Sequence, residues 1–155
     1  MGCIPVDSGD YDLCLAFEVL EHMERDPMNM LSEVNRILKT GGLLYLSTPN
    51  IISSRNVYKI LHSYAPHFFM KYSKTHSLYR HNIEYAPNQL LELTSAAGFK
   101  VRKFWTFDTF EEPIPEIIEF LESNNFNSSN RGDNMFVICE KVSPVVDRYP
   151  SCLYF

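Results

Sequence analysis

Glycine is scarce, with 6 residues in a chain of 155, and no two of them form a G-x-G pattern. The sequence therefore offers no glycine-rich loop of the kind that cradles a nucleotide or similar cofactor. Long apolar runs are missing as well, so no transmembrane segment is expected, and the N-terminus lacks a signal-peptide layout. The expected location is cytoplasmic. No C-x-x-C pair occurs among the cysteines, Cys3, Cys14, Cys139 and Cys152, and Cys14 and Cys139 lie inside apolar runs. Reduced packing thiols are expected rather than a disulfide framework or a zinc site. Two lipidation outlines fail on detail. Val6 stands where a myristoylation signal wants Ser or Thr, and Cys152–Phe155 has no polybasic stretch before it.

Acidic residues are absent from Val34 to Ile83. That window nonetheless holds seven of the 14 Lys and Arg and four of the five histidines. A basic, aromatic middle is thus set in an acidic body. The net charge of −5 argues against general nucleic-acid binding.

What is present is ordinary for a globular domain: 45% hydrophobic and 21% charged residues. Asp12–Phe17 holds a short apolar run bounded by acidic residues, whose lack of alternation suits a strand buried on both faces. Asp26 and Pro27 read as an N-cap and first helical residue, Met30, Val34, Ile37 and Leu38 recur at helical spacing, and Gly41-Gly42 ends the run. Leu43–Ser47 reads as a second buried strand, closed by Thr48-Pro49-Asn50. Strand, helix and strand at this spacing form a βαβ unit with parallel strands, whose ligands bind beyond the carboxyl ends. Glu18–His22 and Thr48–Asn50 both fall on that edge.

Residues 51–80 read as a lid or insertion, with a helix at Val57–Tyr64 interrupted by Pro66, then an aromatic stretch from His67 to Tyr72. Tyr58, Tyr64, Phe68, Phe69, Tyr72 and Tyr79 interleave with Lys and Arg. This suits an anionic or sugar-bearing substrate, with Lys71, Lys74 and Arg80 as contacts, a nucleic-acid strand, a membrane surface, or a lid packing its rings on the sheet. Pro87–Ala97 reads as a helix ending at Gly98, Phe99–Phe107 as a strand, Pro115–Glu122 as a helix and Met135–Val142 as a final strand. One domain, 1–142, and a loose tail, 143–155, are expected.

Taken in order, four pieces resemble class I S-adenosylmethionine-dependent methyltransferases. Tyr11-Asp12-Leu13 into Phe17-Glu18-Val19-Leu20-Glu21-His22 is similar to the family's fourth strand and following loop. Asn35–Gly42 resembles its R-x-L-K-P-G-G turn, with Thr40 in place of proline. Leu44–Asn50 resembles the fifth strand, and His81–Tyr85 through Gly98-Phe99 the helix before the sixth. The resemblance implies an α/β, partial Rossmann-like sheet of parallel strands plus a terminal antiparallel pair, with helices on both faces. It also implies S-adenosylmethionine as cofactor, held here by Phe17 and Glu18. The family's glycine-rich donor-binding segment has no counterpart, so the domain reads as truncated. Its first strand, Leu13–Phe17, should then be an edge through which the chain forms a homo-oligomer or takes a partner chain.

Glu18, Glu21 and His22 have the i, i+3, i+4 spacing that projects from one side of a helical turn. Their E-x-x-E-H pattern resembles metal-dependent subfamilies acting on small RNA and in the ubiquinone pathway. That likeness implies Glu18, Glu21, His22 and His81 as ligands, with magnesium favoured by the carboxylates. Two other readings stand beside it: His22 as a catalytic base or loop orienter, and a purely structural loop. The implied function is methylation of oxygen on a small molecule or glycan. Two alternatives are an inactive remnant or interaction module, and one half of a split enzyme.

Overall fold

The computed structural model describes residues 3–24, 26–66 and 81–155. Chain order runs β1 (Tyr11–Phe17), a single 3₁₀ turn (Leu20–His22), α1 (Pro27–Ile37), β2 (Leu38–Pro49) and α2 (Ser54–Leu61). It continues with α3 (Pro87–Ala96), β3 (Phe99–Phe107), α4 (Pro115–Ser123) and β4 (Asn134–Lys141). The four strands form one sheet in the order β1-β2-β4-β3. β1 and β2 are parallel, while β4 runs antiparallel to both β2 and β3. The parallel pair and the terminal antiparallel pair are those expected from the sequence. Among the described residues, no helix is long and apolar enough to cross a membrane.

α1 begins as its cap residues dictate. The Asp26 carboxylate accepts from the Asn29 N–H at 3.1 Å, and Pro27 occupies the first turn. Its end differs from the expected stop at Gly41-Gly42. Leu38 is already extended, at φ −74° and ψ 142°, and pairs with Tyr11 at the start of β2. The two glycines instead form an irregularity inside the strand, where Tyr11 pairs with Leu38 and Leu13 with Leu43. Gly41 has φ +83°, and a Cβ on Gly42 would meet Lys39 O at 2.9 Å. The glycines let the strand bulge rather than halting the helix. α2 starts at Ser54, earlier than expected, because the Ser53 hydroxyl caps it by accepting from Asn56 N–H at 3.3 Å. The stretch from His67 to Arg80, including Lys71, Lys74 and Arg80, lies outside the described residues.

The core sits on one face of the sheet. Leu44 and Leu46 of β2 and Val137 and Cys139 of β4 pack with Leu31 and Val34 of α1 and with Leu90 and Leu93 of α3. β1 is not buried on both faces as its apolar run suggested. Ala16 is buried, but Leu13, Leu15 and Phe17 are 51%, 58% and 45% exposed. The reason is position: Leu13, Leu15 and Phe17 alternate onto the sheet face opposite the core, and β1 is also the sheet edge, where among the described residues no strand pairs with its outer side. On the face away from α1 and α3 a row of rings crosses all four strands. Phe17 meets Tyr45 edge-on at 4.8 Å, Tyr45 lies 5.9 Å from Trp105, and Trp105 stacks on Phe136 at 5.4 Å. The four cysteines are free thiols, with Cys139 buried and its pKa pushed up to about 12 by burial.

The C-terminal residues are not a loose tail. The Val146 and Asp147 N–H groups donate to Ala96 O at 2.8 and 3.0 Å. Arg148 pairs with Asp26, and the Tyr154 hydroxyl donates to the same carboxylate at 2.6 Å. Leu153 and Tyr154 pack on the core. Aromatic anchors and one ion pair fasten this segment. Arg148 holds the Asp26 carboxyl down to about 2. A depressed carboxylate pKa contributes stability that is complete above the ordinary Asp value and is lost as pH falls toward about 2. Asp26→Asn is therefore expected to lower the urea midpoint at neutral pH, with the gap to wild type closing in acid. An equal gap at every pH would contradict this ion pair.

Candidate active site at the ends of the parallel strands

β1 and β2 end side by side, and the groups beyond them line a cavity of about 580 Å³. At the end of β1 the backbone bends sharply, with Glu18 at φ 53°. This left-handed bend sets Glu18 apart from the turn that follows. Its carboxylate accepts from the Ser47 hydroxyl at 2.6 Å and from the Asn134 side-chain amide at 2.9 Å. Glu21 and His22 then sit on the 3₁₀ turn, whose Leu20 is wholly buried and fixes it to the core.

Glu21 is the unusual group. Its side chain is 0% exposed, and one oxygen accepts from the Thr48 hydroxyl at 2.9 Å. The other, Oε1, has no hydrogen-bond partner among the described residues and lies 3.5 Å from His22 Nε2. Burial raises its pKa, with the nearby Glu18 adding to the effect, while backbone and Thr48 hydrogen bonds oppose it. A buried carboxylate oxygen without a donor is costly unless a cation or proton reaches it.

The third member arrives from beyond residue 80. Asn82 clips its segment to the turn: its backbone N–H donates to Glu21 O at 2.7 Å and its side-chain amide to His22 O at 2.9 Å. This sets the His81 ring against His22, with centroids 4.9 Å apart and planes at 77°. His81 Nδ1 lies 3.3 Å from Glu84, and that hydrogen bond raises the His81 pKa. Ligand atoms of Glu21, His22 and His81 all lie within 4.8 Å of one another. Glu18 stands outside that group, because Ser47 and Asn134 hold its carboxylate. Of the four residues that the E-x-x-E-H likeness implied, the fold gathers three.

Several residues of the cavity escaped the sequence reading. Asp133 closes the far wall, its carboxylate accepting from the N–H groups of Thr109, Phe110 and Glu111 at 2.8, 2.9 and 3.0 Å. Arg55 and Lys59 line the wall formed by α2, and Arg55 pairs with Glu111. Burial lowers the Lys59 pKa. Asn50 ties the end of β2 to this wall: its amide donates to Asn130 O at 2.9 Å and Gly132 O at 2.8 Å, and its carbonyl accepts from Asn56 at 3.1 Å. Gly132-Asp133 was legible only as a turn. Three consecutive N–H groups converging on one carboxylate are a tertiary fact.

A parallel βαβ pair with ionisable groups beyond its carboxyl ends, flanked by an antiparallel β4, defines a Rossmann-like α/β protein of the class I methyltransferase type. The chain belongs to the methyltransferase domain family, whose model matches residues 4–104. No curated protein matches it in sequence. Among solved structures it is similar to a SAM-dependent methyltransferase from Methanosarcina mazei, at 17% identity and a TM-score of 0.61, covering 90% of this chain and 63% of that one. A SAM-dependent methyltransferase from Archaeoglobus fulgidus matches at 17% identity and a TM-score of 0.57, covering 88% and 62%. One from Mesorhizobium loti matches at 15% and 0.53, covering 90% and 65%. The chain thus spans less than two thirds of the length of these structures, which share its fold.

Proposed function

We propose that the chain acts in S-adenosylmethionine-dependent methyl transfer to an oxygen acceptor, a small molecule or a glycan hydroxyl. In this reading Glu21, His22 and His81 hold a divalent cation. The observation that carries it is the buried Glu21 carboxylate, with one oxygen unpartnered among the described residues and two imidazoles in ligand range. Such a donor set suits magnesium or manganese, and its imidazoles also admit zinc. A bound ion supplies Lewis acidity, lowering the pKa of an acceptor hydroxyl. S-adenosylmethionine supplies an electrophilic methyl on a cationic sulfur. Phe17, nearly half exposed at the strand end, and Glu18, held still by Ser47 and Asn134, are the residues we assign to the donor. The proton of that hydroxyl leaves to solvent in this reading, since an imidazole that ligates the cation cannot also take it up. The glycan assignment rests on the likeness of Thr48-Pro49-Asn50 and His81–Tyr85 to methyltransferases of polysaccharide-type pathways.

A second reading dispenses with the cation and makes His22 the base, its imidazolium stabilised by Glu21 across the 3.5 Å contact to His22 Nε2. Chelators separate the two, since methyl transfer that survives them supports the base alone. Donor binding is tested by calorimetry of S-adenosylmethionine against the full chain. Saturable one-site binding, weakened by Glu18→Ala, supports the assignment, and no binding at millimolar donor overturns it.

The edge of β1 is where we place association, with a second copy or another chain. Leu13, Leu15 and Phe17 leave apolar surface there beside unpaired backbone groups. Leu15→Lys is expected to abolish concentration-dependent self-association in sedimentation. A wild-type chain that stays monomeric at high concentration, and takes no partner, contradicts it.

A further inference from the structure

We propose that Glu84 is a positioning residue for His81: it holds Nδ1, so that Nε2 is the nitrogen offered to Glu21, His22 and the cavity. Two constraints fix the imidazole. The Asn82 clip sets the backbone, with donated hydrogen bonds of 2.7 Å to Glu21 O and 2.9 Å to His22 O. The Glu84 carboxylate, 3% exposed and three residues on, reaches back to Nδ1 at 3.3 Å. A carboxylate in that place accepts Nδ1–H and selects one tautomer of the neutral ring, leaving a lone pair on Nε2. Outer-sphere carboxylates of this kind orient a histidine and raise its strength as a donor.

The inference rests on the cation reading only in its metal arm, and the test separates the two. ¹⁵N NMR of the His81 side chain in the metal-free full chain, at a pH where the ring is neutral, reads the tautomer directly. Wild type and Glu84→Gln, whose amide oxygen can still accept, are expected to show protonated Nδ1, and Glu84→Ala is expected to lose that preference. Manganese titration by calorimetry should show affinity about 10- to 100-fold weaker in Glu84→Ala, with Glu84→Gln close to wild type. Identical His81 spectra in wild type and Glu84→Ala overturn the proposal. Should Glu84→Ala fail to fold, wild type alone decides, since an Nε2-protonated His81 overturns it equally. A tautomer shift without manganese uptake by wild type refutes the cation reading and leaves the positioning role standing.

Discussion

Glu21→Gln is expected to remove divalent-ion binding while leaving the metal-free protein as stable as wild type or more so at neutral pH. The two effects share one cause. Glu21 is wholly buried with one carboxylate oxygen lacking a hydrogen bond among the described residues, so its charge is poorly compensated without a cation. Glutamine keeps the volume and can still accept from the Thr48 hydroxyl, but it carries no charge. Losing a direct anionic ligand should weaken manganese binding by more than the roughly 10- to 100-fold typical of outer-sphere partners. The stability effect has a defined sign. Because the folded-state pKa of Glu21 is raised, the folded form binds the proton more readily than the unfolded one, and wild type loses stability as pH rises through that interval. The advantage of Glu21→Gln should therefore grow from acid toward neutral pH. A variant that unfolds at neutral pH, or binds manganese as wild type does, contradicts this account of Glu21.

Gly98→Ala is expected to be among the most damaging small substitutions in the chain, costing about 2–5 kcal/mol. Gly98 has φ +86°, a conformation that costs an L-residue roughly 1–2 kcal/mol. An added Cβ would also lie 2.5 Å from both Pro144 O and Ser143 O and 2.9 Å from Asn35 Nδ2. The obstructing oxygens are backbone, and overpacking of that kind adds about 1–3 kcal/mol. The chain after β4 is fastened at this point. Val142 and Ser143 donate to Gly98 O at 3.1 and 3.2 Å, and the Asn35 amide donates to Ala97 O at 2.7 Å and Ser143 O at 2.9 Å. Gly41→Ala is the matched control. Its φ is +83°, but nothing lies within 4 Å of the added carbon, so only the conformational cost of about 1–2 kcal/mol remains. Thermal unfolding that ranks the two equally would mean that residues 143–144 do not pack on Gly98.

The elements that sequence reading placed well are those with local causes. Asp26 and Pro27 mark the start of α1, Gly98 the end of α3, and apolar runs the cores of β1, β2 and β4. The carboxyl-edge site was legible because a βαβ unit dictates where strand ends fall, whatever residues occupy them. Errors arose where tertiary neighbours decide. An apolar run such as Asp12–Phe17 cannot report whether its second face is covered. The glycines at 41 and 42 can stop a helix or bulge a strand, and only the pairing of Tyr11 with Leu38 selects between them. The tail looked loose because its anchors, Arg148 and Tyr154, meet a partner at Asp26 more than a hundred residues away. At the site, spacing grouped Glu18 with Glu21 and His22. The positive φ of Glu18, together with Ser47 and Asn134, takes it out of their cluster.

The central claim is that Glu21, His22 and His81 form one cation-binding centre beyond the parallel strands. Its most direct test is titration of the full chain with manganese, followed by paramagnetic broadening of the histidine side-chain NMR signals. The account predicts saturable one-site uptake that broadens His22 and His81 first and together, with His62 affected least of the three. Absence of saturable uptake, or broadening that begins elsewhere and spares His22 and His81, would contradict it.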